Sequence, residues 1–192
     1  VDTIDDDLDI GFDTESGKQV TAGLRFRNLN VPKGAVIINA RLVFTSKGVS
    51  EGDASLTIHG IAEDTVPLFS NSRNNLSGRG LAPNSIPWNP VNWSIPDTTF
   101  RTPNLKAIVQ EIVNRPGWAP GNTMGFIIEQ VTGTRIAETA DGDSSRSPQL
   151  NIVYQTTVET PFKTNRQRLV ELVNELSACS TCLTPIASTM LE

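Results

Sequence analysis

Along much of this chain apolar and polar residues alternate. In Gly23–Asn28, Leu24 and Phe26 alternate with Arg25 and Arg27. That period of two turns one face of a strand toward a core and the other toward solvent. Ala40, Leu42 and Phe44 alternate with Asn39, Arg41 and Val43 in a second predicted strand, and Leu56 and Ile58 lie opposite Thr57 and His59 in a third. Val31-Pro32-Lys33-Gly34 predicts a turn between the first two, because proline presets φ and glycine tolerates the positive φ that follows. Lys47–Asp53 is also turn-like. Met124, Phe126 and Ile128 then alternate with Gly125 and Ile127. Thr134–Ala140 is the next strand candidate and Asp141–Pro148 a polar turn. Leu150, Ile152 and Tyr154 alternate with Asn151 and Val153 to close the series.

Elsewhere the period changes or vanishes. Leu105, Ile108, Val109, Ile112 and Val113 form one apolar stripe at helical spacing, so Thr102–Arg115 predicts an amphipathic helix. Thr102 is the expected N-cap and Pro103 the first helical residue, with Pro116-Gly117 as the stop. Residues 64–102 are rich in Asn, Ser, Pro and Gly, carry Trp88 and Trp93, and show no sustained period. Because so long a structureless loop is uncommon in a compact domain, short strands are expected within it, around residues 86–93. After Gln155 the composition shifts. Thr156–Pro161 reads as a linker and Asn165–Ala178 as a second helix, capped by Thr164 or Asn165, with Leu169, Leu172, Val173 and Leu176 on one stripe.

Short strands with turns between them and one covering helix predict a mainly β chain. The expected fold is a jelly-roll-like antiparallel β-sandwich with one amphipathic helix packed on it and a C-terminal helical tail. The expected division is a β-sandwich module at residues 1–155 and a linker plus helix at 156–192. A chain of 192 residues suits one domain with an appendage. Its hydrophobic fraction of 38% is enough for a sizeable core. A net charge of −5 and a pI near 4.9 argue against a nucleic-acid partner, which needs a basic face. No apolar run approaches the roughly 18 residues of a membrane span, and no signal-like leader opens the sequence. The chain is therefore expected to start after any signal peptide or to be cut from a longer protein.

A series of short motifs carries a resemblance. It comprises Asp5-Asp6-Asp7, Gly23-Leu24-Arg25-Phe26, Val31-Pro32-Lys33-Gly34-Ala35, Arg101-Thr102-Pro103-Asn104-Leu105, Ile112 through Trp118, Gly121-Asn122, and Ser147-Pro148-Gln149-Leu150 followed by Tyr154. In order and kind it resembles the DNRLRE-type β-sandwich modules of bacterial secreted and surface proteins, over roughly residues 3–155. The resemblance implies a binding role, often for carbohydrate and often with structural calcium. The tail, Leu183-Thr184-Pro185-Ile186-Ala187 after a helix, is similar to the stretch around the metal-site threonine of von Willebrand factor type A domains. That family's Asp-x-Ser-x-Ser motif is absent, so Thr184 cannot complete such a site here. Together the two resemblances imply a sandwich inserted in, or adjoining, a type A domain of a surface or pilus-tip adhesin-like protein. Leu191-Glu192 reads equally as a cloning remnant.

Five constellations could carry chemistry. Cys179 and Cys182 read first as a disulfide of a secreted protein. Free thiols and a redox or metal role are the alternatives, though zinc needs two further ligands and His59 is the sole histidine. The acidic start, with Asp5, Asp6, Asp7 and Asp9, and the turn containing Asp141 and Asp143 could supply the oxygens that Ca²⁺ takes, about six to eight in number. The bland reading is a solvated acidic face. The stretch from Asp141 is not an EF-hand, since Arg146 and Ile152 stand where that loop needs glycine and glutamate. Trp88 and Trp93, beside Asn89 and Asn92, form the best candidate ligand site. Sugar rings stack on exposed indoles, although tryptophans also anchor loops to cores. His59 lacks a nucleophile elbow, and Glu63, Asp64, Glu129 and Glu138 are the acids available for glycoside hydrolysis. Arg25, Arg27 and Arg41 face away from the core and could bind an anionic glycan or make ordinary surface ion pairs.

The expected function is a non-catalytic adhesion or carbohydrate-binding module, secreted or on a bacterial cell surface, meeting a glycan, a cell-surface partner or other subunits of a surface assembly. The alternative is a structural spacer or assembly module without a ligand of its own. The two differ on one point: a lectin-like module leaves Trp88 or Trp93 in solvent, and a spacer buries both.

Overall fold

The computed structural model describes residues 5–13, 16–156, 169–170 and 173–174. The chain divides into two compact units, Val1–Thr157 and Val158–Glu192. The first holds β1 (Asp7–Ile10), β2 (Phe12–Asp13), β3 (Lys18–Gln19), β4 (Ala22–Phe26), β5 (Val36–Thr45), β6 (Ser55–Ile61), β7 (Leu81–Trp88), β8 (Thr99–Arg101), α1 (Lys106–Val113), β9 (Met124–Thr132), β10 (Arg135–Glu138), α2 (Ala140–Asp143) and β11 (Gln149–Gln155). In the second unit residues 169–170 and 173–174 are helical, with Leu169, Val170 and Val173 exposed. Cys179, Cys182 and Thr184 lie outside the described residues.

The first unit is mainly β, an antiparallel sandwich with a little helix. One sheet has the order β4-β9-β6-β7 and the other β11-β5-β8. A separate pair, β1-β10, continues the second sheet through a bridge between Ser46 and Ala137. The alternation read in the sequence is what builds these faces. Leu24, Ala40, Leu42, Phe44, Leu56, Ile58, Phe126 and Ile128 all point into one shared core, and Phe44 of β5 stacks on Trp88 of β7 across the sandwich with ring centroids 5.6 Å apart. The turn at Val31–Gly34 forms as expected: Ala35 N–H donates to the Pro32 carbonyl at 3.1 Å, and Gly34 takes a φ of 73° that a side chain would resist.

The helix is shorter than the pattern suggests and begins differently. It spans Lys106–Val113, with Leu105 at the N-cap and no side-chain cap bond. Thr102 is instead buried, its hydroxyl accepting from Leu42 N–H at 3.0 Å. Asn104 accepts from Ala40 N–H at 3.1 Å and from Lys106 N–H at 3.0 Å. The expected cap Thr102, together with Asn104, thus satisfies β5, because β8 stops at Arg101 and leaves that strand's donors without a strand neighbour. The helix packs across β5, β6 and β7, with Ile108, Val109, Ile112 and Val113 buried. It covers one side of the sandwich, and β4 lies at the far edge of its sheet.

Residues 64–102 are ordered by two devices. β7 runs along an edge with Pro83 and Pro87 in it, where a missing N–H removes no ladder bond. Val66 and Leu76 then fold back on the outer face of the first sheet, forming a small cluster with Ile61, Ile127 and Phe69.

Candidate functional site

The aromatic candidates turn inward. Trp88 is 4% exposed and Trp93 0%. Trp93 stacks on Phe100 with centroids 4.8 Å apart, and Trp88 on Phe44. Their rings therefore cannot serve as the sugar-stacking surface expected of them. The physical reason is area: large rings contacting one another remove more apolar surface from water than a polar loop could leave exposed. Asn89 and Asn92 do remain exposed. They line a small hollow of about 420 Å³ with Gly52, Asp53 and Val91.

What holds that loop is an arginine that no motif in the sequence marks. Arg135 of β10 is 0% exposed. Its guanidinium donates to the carbonyls of Val91, Gly52 and Pro90, each at 2.9 Å, and to that of Thr134 at 2.6 Å. Burial pushes its pKa down, with the nearby Asp53 opposing that shift. A planar fork of donors suits this task, joining two loops through backbone acceptors alone.

The acidic stretches come together. Asp7–Ile10 forms a strand paired to β10, with Asp7 opposite Glu138. The Thr139 hydroxyl donates to the Asp5 carbonyl at 2.9 Å, and Gly142 packs on the Asp6 carbonyl. Carboxylate oxygens of Asp5, Asp6 and Asp7 lie within 4.8 Å of one another. Asp6 is also claimed by Lys47, whose ammonium reaches its carboxylate at 2.9 Å and its backbone carbonyl at 2.6 Å. That hydrogen bond and charge hold the Asp6 pKa below its ordinary value. Asp143 turns to its own loop, accepting from Ser145 N–H at 2.9 Å and meeting Arg146 at 3.1 Å. Ser145 is the main cause of its lowered pKa. Asp141 stays exposed.

These segments border a groove of about 970 Å³. Its floor is β4 with Leu8 of β1, and Leu24 and Phe26 contribute apolar surface there. Asp5, Asp7, Asp9, Asp13 and Asp141 are among its lining residues, with Arg25 and Arg73. Asn71, Asn74 and Asn75 add amides from the loop that covers the outer cluster. The alternation of Leu8 and Ile10 with Asp7 and Asp9 was the legible sign that a strand, not a solvated leader, borders this groove.

The remaining candidates disperse. Arg25 donates to the Val66 carbonyl at 2.8 Å and Arg41 to that of Thr102 at 2.7 Å, so two arginines of the basic face tie strands to loops, and Arg27 is exposed. Among the four acids, Glu63 meets Arg79 at 2.9 Å, Asp64 meets Arg115 at 2.8 Å, Glu129 lies 3.5 Å from His59 and Glu138 lies 3.8 Å from Arg146. None of the four lines the groove. Trp118 packs at the helix exit, its indole N–H donating to the Val31 carbonyl at 3.0 Å. No helix among the described residues is long and apolar enough to cross a membrane. A scan against protein-family models finds no match, and a search of curated proteins finds none either.

Proposed function

We propose that the chain is a non-catalytic module of a secreted or bacterial cell-surface protein, acting through protein contacts as an assembly or spacer module of a larger adhesin or surface filament. The observation that carries this reading is the burial of Trp88 and Trp93, which takes away the indole faces on which sugar rings were expected to stack. The motif series resembling DNRLRE-type modules supports the location. Calcium belongs to the proposal as a structural ion: Asp5, Asp6 and Asp7 offer the hard oxygen donors it prefers, in competition with the Lys47 ammonium. A glycan remains the second reading, favoured by the amides of Asn71, Asn74 and Asn75 in the groove.

A glycan array probed with the purified chain, in calcium and then in EDTA, tests both. The expected result is no glycan bound in either condition, with EDTA lowering the melting temperature. Calcium-dependent binding of a defined glycan would overturn the assembly reading. An unchanged melting temperature in EDTA would remove calcium from it.

A further inference from the structure

The sandwich is closed unevenly. Helix α1 packs across β5, β6 and β7, whereas among the described residues β4 is met on its outer face by the loop side chains of Phe69 and Leu76 at Gly23 and by no helix. Among the described residues, β4 has a hydrogen-bonded strand neighbour on one side only, β9, and β1 has one on one side only, β10. The two are joined through the β2-β3 hairpin, where Val20 N–H donates to the Gly11 carbonyl at 3.0 Å. From that point β1 leaves with one sheet and β4 with the other. The groove runs between them. It therefore has a strand edge along each border, an apolar floor at Leu8, Leu24 and Phe26, and more carboxylates than guanidiniums in its lining.

We propose that this groove takes an extended cationic segment of a protein partner, added as a strand along the edge of β4. The inference rests on the assembly reading above and specifies its chemistry. Main-chain hydrogen bonds to a sheet edge supply affinity, and alternate side chains supply specificity. A segment alternating apolar and Lys or Arg residues fits both needs. Its apolar side chains meet the floor, and its cations meet the exposed Asp5 and Asp141. Five residues of β4 span about 17 Å at strand rise. The groove volume lies at the top of the roughly 300–1,000 Å³ range of small-ligand pockets, which suits several residues of extended chain. Charge complementarity makes the preferred partner basic and its association salt-dependent.

The test uses the whole purified chain and fluorescently labelled seven-residue peptides with alternating valine and lysine. One control replaces each lysine by glutamate, and another keeps the lysines but carries N-methyl groups on alternate backbone nitrogens. Anisotropy titrations at low and at physiological salt should show binding of the lysine peptide and none of the glutamate peptide. One of the two N-methylation registers should abolish binding. Asp5→Lys combined with Asp141→Lys, both exposed positions, should weaken it by roughly tenfold at low salt. Equal binding of the glutamate peptide, indifference to N-methylation in both registers, or absence of lysine-peptide binding overturns the proposal. If the glycan array is also blank, such a failure leaves the assembly reading standing. A glycan bound in the groove, displaced by neither peptide and lost in the double variant, overturns both.

Discussion

Arg135→Met tests directly whether one buried guanidinium holds two loops of this fold together. The guanidinium is fully buried and bonded to backbone carbonyls, those of Gly52 and of Pro90 and Val91 belonging to two separate loops. Methionine fills similar space but offers no donor, so these acceptors lose their partner at once. An orphaned buried acceptor costs about 1–3 kcal/mol, and bonds to charged donors sit toward the upper end. The bond to Pro90 is buried, and the other two are partly buried, so water can recover part of their loss. Against this, the variant no longer has to desolvate a charge. The balance is a loss of roughly 3 kcal/mol. For a domain of this size it corresponds to a fall in melting temperature of about 6–12 °C. Urea unfolding gives the first number and a thermal melt followed by circular dichroism the second. Because the loop carrying Trp93 is released, the tryptophan emission of the folded variant should also shift to the red. Arg135→Lys keeps the charge but not the fork and should fall between the two. A methionine variant within about 1 kcal/mol of wild type, the worth of one ordinary hydrogen bond, would show that the loops hold themselves and refute the clamp.

Three further outcomes follow from the same geometry. Gly60→Ala sets a methyl group 2.5 Å from Ile108 Cγ2 and 2.9 Å from Ile112 Cδ1, so helix α1 has to shift, and chemical denaturation should show a loss of about 1–3 kcal/mol. Trp93→Ala should cost about 3–5 kcal/mol in the same assay, and a variant with unchanged stability would contradict its place in the aromatic stack. The Lys47–Asp6 pair sets a pH window. Hydrogen bonding lowers the Asp6 pKa below 3.8 on folding and raises that of Lys47 above 10.5. The Asp6 contribution is therefore present above pH 3.8 and is lost as pH falls through the lowered value. The Lys47 contribution is present below pH 10.5 and is lost as pH rises through the raised one. Lys47→Met should flatten the melting temperature against pH at both ends, and superimposable profiles for the two proteins would sink that assignment.

The period of two was enough to place most of the strands. Alternation at Leu24–Phe26, Ala40–Phe44, Leu56–Ile58, Met124–Ile128 and Leu150–Tyr154 placed the strands and named most of the core, because side chains of an antiparallel strand must sort to opposite faces. The apolar stripe of Leu105–Val113 likewise identified the helix and the face it buries. What stayed hidden depended on which strand lies beside which. The fate of Trp88 and Trp93 was decided by Phe44 and Phe100, residues that only the folded sandwich stacks against them. Thr102 looks like a cap locally and was recruited, with Asn104, by β5. Arg135 reads as an ordinary polar strand residue until two loops close over it. The acidic start and the turn at Asp141–Asp143 became neighbours through the pairing of β1 with β10. Faces follow from covalent periodicity within one strand. Sites need the long-range register between strands, and that is settled only when the whole core packs.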